Sequence, residues 1–118
     1  MRGDNLREKL AQIAEHWSPK TVATVNDYDV RLAKVHGEFV RHTHHDSDEF
    51  FLVLDGELKI LMDGIDVVLR TGDIYVVPRG TPHKPVAAVE TSIMLFEPRE
   101  IVNTGDAGGE LTAAREEI

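Results

Sequence analysis

The short stretch HTHHDSDE, residues 42–49, places three histidines and three acidic residues directly before the apolar run FFLVL. In an extended chain, side chains two residues apart lie on the same face, so His42 and His44 point in the same direction. Two neighbouring imidazoles can bind one transition metal ion. Glu49 has the opposite parity in an unbroken strand, but residues 46–48 favour a turn that can bring its carboxylate back to the imidazoles. Taken alone, the stretch fits a polar surface loop as well as a metal site.

A second stretch, GDIYVVPRGTPH, residues 72–83, joins a glycine turn, an apolar strand and a Pro-x-Gly turn to another histidine, His83. The chain contains no cysteine, so any metal site must be built from His, Asp and Glu. Sites that depend on thiolate ligands are excluded.

Together, the two stretches resemble the two motifs of the cupin superfamily. The first motif falls on Gly37, His42, His44, Glu49 and Gly56, and the second falls on Gly72, Pro78, Gly80 and His83. The chain departs from the pattern at two points, because only four residues separate Gly37 from His42 and because Ala87 stands where the second motif ends in Asn. Neither departure removes a residue that could bind a metal.

This resemblance implies an all-β fold, the double-stranded β-helix or cupin jelly-roll barrel. It also implies that one divalent transition metal ion lies inside the barrel, held by His42, His44, Glu49 and His83. Nitrogen and oxygen ligands suit Zn, Ni, Fe, Mn or Cu and do not choose among them. The segments HWSPK, DEFFLVLDGEL and NTGD further resemble a group of small single-domain microbial cupins described loosely as mannose-6-phosphate-isomerase-like. That group implies no single substrate.

The remainder of the chain must supply the elements that position these residues. Apolar residues share one helical face over residues 4–17, and Asn5 with Glu8 forms a capping-box pattern, so the sequence predicts one N-terminal α-helix. Short apolar runs separated by turn residues then predict strands over residues 21–25, 28–36, 39–43, 50–54, 58–62, 66–69, 74–77 and 92–97. We expect a single domain over 1–118, with a lead-in over 1–20, the barrel over 21–100 and a partly frayed tail over 101–118.

Residues near the expected ligands are candidates for a substrate pocket. Phe51 and Val53 share the parity of Glu49, and Phe39 and Arg41 lie close to His42, although the same positions also fit plain barrel core. The strand over residues 50–54 is apolar on both faces, so it needs cover from the helix, a second sheet or a second subunit. Because related small cupins commonly pair through their sheets, we expect a homodimer.

The composition limits the partners. The net charge is −8 and Lys and Arg form no cluster, so nucleic acid is not expected as a partner. No apolar stretch approaches the roughly 20 residues that span a bilayer, and the N-terminus lacks the features of a secretory signal. The sequence therefore predicts no membrane partner and a cytoplasmic location.

Two functions fit these observations. The first is a metal-dependent enzyme that acts on a small molecule, as an oxygenase, an isomerase or a lyase. The second is a binding or sensor module that holds a metal and a small ligand without turnover. No free base or nucleophile occurs at a recognisable spacing, so an enzyme of this kind would rely on the metal.

Overall fold

The computed structural model describes all 118 residues and contains one short helix and seven strands. The elements are α1 (Leu6–Leu10), β1 (Lys20–Val25), β2 (Tyr28–Glu38), β3 (Glu49–Asp55), β4 (Glu57–Met62), β5 (Ile65–Arg70), β6 (Ile74–Val77) and β7 (Lys84–Pro98). Every strand pair is antiparallel; the strand order is β1-β2-β7-β3-β6, and β4 pairs with β5 and β7. The predicted all-β jelly-roll barrel with one N-terminal helix is confirmed.

The long strand β7 connects the two parts of the barrel. Its first part pairs with β4, where Pro85 faces Ile60, and its second part lies between β2 and β3. The sequence predicted only the second part as a strand. Pro85 lacks an amide hydrogen and Ala87 has a low strand propensity, so the first part carries little local signal.

The predicted strand over residues 39–43 is reduced to a single bridge between His42 and His83. The other backbone groups of this segment bind elsewhere. Phe39 N donates to Pro85 O at 3.0 Å, and Thr43 O accepts from Asp106 N at 3.1 Å. Residues 39–43 therefore divide their backbone hydrogen bonds between β7 and the C-terminal segment.

The N-terminal helix is shorter than predicted. It begins as expected, with the Asn5 side chain accepting a hydrogen bond from Glu8 N at 3.1 Å, but it ends at Leu10 instead of residue 17. Trp17 has a φ of 60°, outside the right-handed helical region, and its N donates to Lys34 O at 2.9 Å. Hydrogen bonding to β2 therefore overrides the helical periodicity of residues 11–17.

The core lies inside the barrel, and its fully buried side chains include Val35, Val53, Leu58, Ile60 and Val77. Strand β3 buries Phe51 and Val53 on its inner face, while its outward residues are half-buried. No helix in the structure is long and apolar enough to cross a membrane.

The C-terminal tail is bound to the barrel, so the predicted fraying is not observed. Thr21 N donates to Glu116 O at 2.8 Å, and Ile118 N donates to Thr21 O at 3.0 Å. Arg115 Nε donates to Asp29 Oδ2 at 2.7 Å, and Asp29 is fully buried. The tail therefore covers one end of the barrel.

Candidate metal centre

Four buried side chains that can bind a metal converge inside the barrel: His42, His44, Glu49 and His83. One ligand atom from each lies within 4.8 Å of the others. His44 Nε2 lies 2.8 Å from Glu49 Oε2, and His83 Nε2 lies 3.1 Å from Glu49 Oε1. Ligands bound about 2.1 Å from one ion are about 3 to 4.2 Å apart, so small side-chain movements would give the group that spacing.

The backbone holds His42 and His83 side by side. Each donates its N–H to the carbonyl of the other at 3.0 Å, and their ring centroids are 4.3 Å apart. This pairing joins two residues that are far apart in the sequence, so it fixes the positions of their rings independently of the nearby turns.

The same two rings are held in one tautomer. His42 Nδ1 lies 2.9 Å from Val40 O, and His83 Nδ1 lies 2.9 Å from Thr81 O. A carbonyl oxygen only accepts, so each Nδ1 must donate, and the Nε2 of the neutral ring is left with a free lone pair. That lone pair is what a metal ion requires.

Turn residues place the other two side chains. The Pro-x-Gly turn binds the segment that carries His44, since Gly80 N donates to His44 O at 2.8 Å. Asp48 Oδ1 accepts from Arg79 N at 2.8 Å, which fixes the turn before β3, and Glu49 is the first residue of that strand. The register reset predicted from residues 46–48 therefore brings the Glu49 carboxylate to the imidazoles.

The charges in the cluster favour a bound cation. Burial raises the pKa of Glu49, but His44 and His83 outweigh burial and lower the pKa to about 2. Burial lowers the pKa of both His44 and His83, but the close carboxylate of Glu49 raises it above the ordinary value in each. Burial lowers the pKa of His42. Glu49 is therefore a carboxylate, and the site around it attracts positive charge.

The unpaired polar atoms of the cluster fit a metal ion. His42 Nε2 and His44 Nε2 are buried without a hydrogen-bond partner, although the second is in close contact with Glu49. His83 Nε2 faces a carboxylate oxygen, and two acceptors at that distance need a shared proton or a shared cation between them. Three imidazoles and one carboxylate suit a divalent transition metal.

A small cavity of about 30 Å³ lies beside His42 and Glu49. That volume holds about two water molecules. Of the predicted pocket residues, Phe39 and Phe51 lie on its wall. Trp17 also lines the cavity and stacks on Phe39 with ring centroids 4.8 Å apart. This aromatic pair therefore forms part of the cavity wall beside His42.

The other two predicted pocket residues lie away from the cavity. Val53 is packed in the barrel core, because it lies further along β3 than Phe51. The Arg41 side chain is 45% exposed, and its Nη2 donates to Asp63 Oδ1 at 2.7 Å. Arg41 has the opposite parity to the buried His42, which explains its outward position.

Sequence reasoning missed Glu97, which also lines the cavity. Its side chain is 2% exposed, and one oxygen, Oε2, has no hydrogen-bond partner. Burial and then the negative charge of Glu49 raise the pKa of Glu97 to about 8. Glu97 has the same parity in β7 as the buried Ile93 and Leu95, so an acidic residue at an inward position was the available signal.

Comparison with known proteins agrees with this arrangement. The model of the cupin domain matches residues 29–98. The uncharacterized protein YdbB of Bacillus subtilis is 37% identical over 97 residues, which cover 81% of this chain and 86% of that protein. The crystal structure of a cupin-2 domain protein from Shewanella frigidimarina superposes with a TM-score of 0.80 and 45% identity, covering 81% of this chain and 94% of that one.

A dioxygenase is also among the relatives. The 3-hydroxyanthranilate 3,4-dioxygenase of Ruegeria pomeroyi is 35% identical over 88 residues, which cover 69% of this chain and 49% of the enzyme. This chain therefore corresponds to about half of that enzyme. The narrower resemblance to the mannose-6-phosphate-isomerase-like group stays a prediction. The match to the cupin domain over most of the barrel, together with the arrangement of the four buried side chains, shows that the chain belongs to the cupin family.

Proposed function

We propose that His42, His44, Glu49 and His83 bind one divalent transition metal ion, and that the protein is a metal-dependent oxygenase acting on a small molecule in the barrel. The observation that carries this proposal is the convergence of four buried ligand atoms within 4.8 Å of one another, two of them imidazole nitrogens without a hydrogen-bond partner. Zn, Ni, Fe, Mn and Cu all suit this set of ligands.

A bound metal would supply Lewis acidity and open coordination positions for a substrate or dioxygen. The protein residues around the metal would orient the imidazole ligands and exclude water. The carbonyls of Val40 and Thr81 hold the His42 and His83 rings with Nε2 free. Phe39 and Phe51, the proposed pocket residues, give the cavity apolar walls that limit the access of water.

Oxygenase is favoured over isomerase and lyase by the dioxygenase relative, whose matched region spans most of this chain. A second candidate function is a metal-containing binding or sensor module. The cavity lining favours it, because apart from the proposed metal ligands the only acid–base side chain on the wall is Glu97, and binding without turnover needs no general base.

Oxygen consumption tests the oxygenase proposal. The protein would be loaded anaerobically with Fe(II), and separately with Ni, Mn or Cu, and mixed with hydroxyaromatics, diketones, sugars and oxo acids in aerated buffer. We expect uptake of dioxygen with one of these classes and none in the double variant His44→Ala, His83→Ala. Metal binding without uptake for every class would reject the oxygenase and favour the binding module.

We further propose a cytoplasmic homodimer that binds no nucleic acid. The acidic net charge of −8 supports the last point. The outer face of the sheet supports the dimer, because Phe50 pairs there with Phe96 and Val76, and Phe96 is 36% and Val76 45% exposed. An apolar sheet face of this kind commonly marks an interface between subunits.

Sedimentation velocity tests the dimer. We expect the wild type to sediment as a dimer at micromolar concentration and Val76→Lys to sediment as a monomer. The matched control is Val89→Lys, because Val89 is 55% exposed but lies outside this face. A monomeric wild type would reject the proposal.

A further inference from the structure

Part of the cavity wall is made by segments outside the barrel strands. Inward side chains of β2, β3 and β7 form most of the wall, whereas Trp17 and Pro19 precede β1 and Asn103 belongs to the C-terminal tail. Pro19 and Asn103 also line a hollow of about 300 Å³, and Trp17 also lines one of about 490 Å³. Exposed residues such as Glu100 and Glu116 line these hollows, so both are open to solvent. Trp17, Pro19 and Asn103, the entrance wall, therefore stand between the cavity and the solvent.

A single side chain, that of Asn103, joins the two segments of the entrance wall. Its Nδ2 donates to Trp17 O at 3.3 Å and to Leu111 O at 2.9 Å, and its Oδ1 accepts from Ala113 N at 2.9 Å. A side-chain amide has two N–H donors, so both are used. Asn103 therefore holds the segment before β1 against two points of the tail.

The segment before β1 is held in a strained conformation. Trp17 has a φ of 60°, which is rare for a bulky residue and costs energy that its surroundings must offset. Its N donates to Lys34 O and its Nε1 donates to His36 O, each at 2.9 Å. The bond from Asn103 ties the carbonyl of the same residue to the tail. When that bond breaks, relief of the strain favours movement of Trp17 away from the tail.

Another hollow borders the four-residue cluster but gives no comparable entrance. It has a volume of about 350 Å³ and is lined in part by His44. There the backbone of Thr43 makes two hydrogen bonds with Asp106, and a Cβ on Gly105 would lie only 2.4 Å from Thr43 O. An opening on this side would displace the segment that carries His42 and His44, and thus the proposed ligands themselves.

We propose that Asn103 is a latch on the entrance to the cavity, and that its bond to Trp17 must break before a metal ion can enter or leave. This inference rests on the proposed metal site. In the open state, residues 16–19 move away from the tail while the barrel strands keep their positions. The four proposed ligands lie outside both of the segments that separate.

A latch of this kind changes rates and leaves the affinity unchanged. Asn103 makes its bonds with or without a metal, so their loss raises the open population by the same factor in both states. Entry and release then accelerate equally, and the dissociation constant, which is the ratio of the two rates, stays the same. A residue that supported the ligands would instead change the affinity.

Zinc exchange tests the latch. Mixing the zinc-loaded protein with excess chromogenic chelator gives the rate of zinc release, and competition with the same chelator at equilibrium gives the dissociation constant. Asn103→Leu keeps a similar side-chain volume and loses the three hydrogen bonds. We expect release about tenfold faster, as the loss of one net hydrogen bond gives, and a dissociation constant within about twofold of the wild type. Asn103→Ala should behave in the same way.

The matched control is Lys20→Gln. Lys20 Nζ donates to Ser18 Oγ at 3.2 Å and to Glu116 Oε2 at 3.1 Å, so it also joins the segment before β1 to the tail, but it does not line the cavity. This variant should release zinc at the wild-type rate. Equal acceleration in Lys20→Gln and Asn103→Leu would overturn the latch, because any loosening of the tail would then suffice.

The indole N–H of Trp17 reports on the opening in the metal-free protein. It gives a single NMR signal, because Trp17 is the one tryptophan, and it donates to His36 O. Its exchange with solvent deuterium should be about tenfold faster in Asn103→Leu than in the wild type, since exchange follows local opening. Unchanged exchange would overturn the latch, because Trp17 would then not move.

The two measurements separate the latch from the metal site. A wild type that holds zinc, with release equally fast in Asn103→Leu, would reject the latch and leave the metal site standing. Faster release with an equal loss of affinity would also reject it, because Asn103 would then support the ligands. A wild type that retains no zinc would reject the metal site and, with it, the passage of a metal ion through this entrance.

Discussion

At the scale of single residues, hydrogen bonds to backbone carbonyls set the orientation and the tautomer of two imidazoles in the site. A carbonyl oxygen fixes the Nδ1 of His42 and of His83, which leaves the Nε2 of each neutral ring with a lone pair that a metal ion can use. Trp17, the one tryptophan in the chain, lies close to the cluster. Its ring stacks on that of Phe39 with centroids 4.8 Å apart, and the Phe39 and His42 ring centroids are 5.4 Å apart. Its fluorescence can therefore report on a metal in the cluster.

We expect one equivalent of Cu(II) per chain to quench the fluorescence of Trp17, because a paramagnetic ion quenches a nearby indole. Zn(II) should occupy the same site without comparable quenching. The double variant His44→Ala, His83→Ala should lose the effect. His16→Ala is the necessary control, because His16 adjoins Trp17 in sequence and pairs with Glu90 at the surface. Quenching that depends on His16 would place the copper outside the cluster.

At the scale of elements, the C-terminal tail supports the segment that carries two of the proposed ligands. Asp106 Oδ1 accepts from Thr43 N at 2.8 Å, and Asp106 N donates to Thr43 O at 3.1 Å. Gly105 has a φ of 53°, and a Cβ at this position would lie 2.4 Å from Thr43 O and 3.1 Å from His42 Cδ2. The absence of a side chain at residue 105 therefore lets the tail pack against the segment that carries the proposed ligands.

Gly105→Ala should weaken zinc binding about tenfold or more, because the new methyl group displaces Thr43 between His42 and His44. Gly108→Ala is a matched control, since Gly108 also has a positive φ, 61°, but a Cβ there has no atom within 4 Å. Backbone strain should cost each variant about 1 kcal/mol of stability, and the clash with Thr43 O should make the total cost of Gly105→Ala larger. Competition with a zinc chelator measures the affinity, and equal affinities in the two variants would contradict the role of the tail.

The elements also show how far the sequence could predict this structure. His42, His44 and Glu49 follow from strand parity and one turn, which are local features, and the motif that carries His83 has a recognisable spacing. The contacts of the tail and the stacking of Trp17 on Phe39 join residues distant in sequence, so no local pattern indicates them. Glu97 did have a local signal, its inward parity in β7, but that parity does not show that the carboxyl lies beside the cluster. The helix failed as a prediction beyond Leu10 for the same reason, because hydrogen bonds to β2 outweigh its periodicity.

At the scale of the whole molecule, a buried charge network joins the tail to the barrel. Asp29 accepts hydrogen bonds from Arg115, Thr21 and Arg31, and these lower its pKa to about 2 against the opposing effect of burial. A carboxyl whose folded pKa is depressed stabilises the fold above its unfolded pKa, near 3.8. This stabilisation is lost as the pH falls from about 4 toward 2.

Asp29→Asn should therefore lower the free energy of unfolding at pH 6, and the difference from the wild type should shrink by about 2 kcal/mol as the pH falls toward 2. Urea unfolding of the two metal-free proteins between pH 6 and the acid limit of folding measures this. Asp66→Asn, a change at an exposed aspartate of β5, should show no such dependence. A constant difference between wild type and Asp29→Asn would contradict the proposed contribution of the network.

The metal content of the purified protein tests most directly whether His42, His44, Glu49 and His83 bind an ion. After incubation at pH 7.5 with Zn, Ni, Fe(II), Mn or Cu in separate samples and desalting, elemental analysis should find one metal ion per chain for at least one of them. The double variant His44→Ala, His83→Ala should retain none while its circular dichroism remains that of the folded barrel, and His16→Ala should retain the full amount. A wild type that holds none of the five metals would contradict the proposed metal site and leave residues 42–49 as a polar segment without a metal.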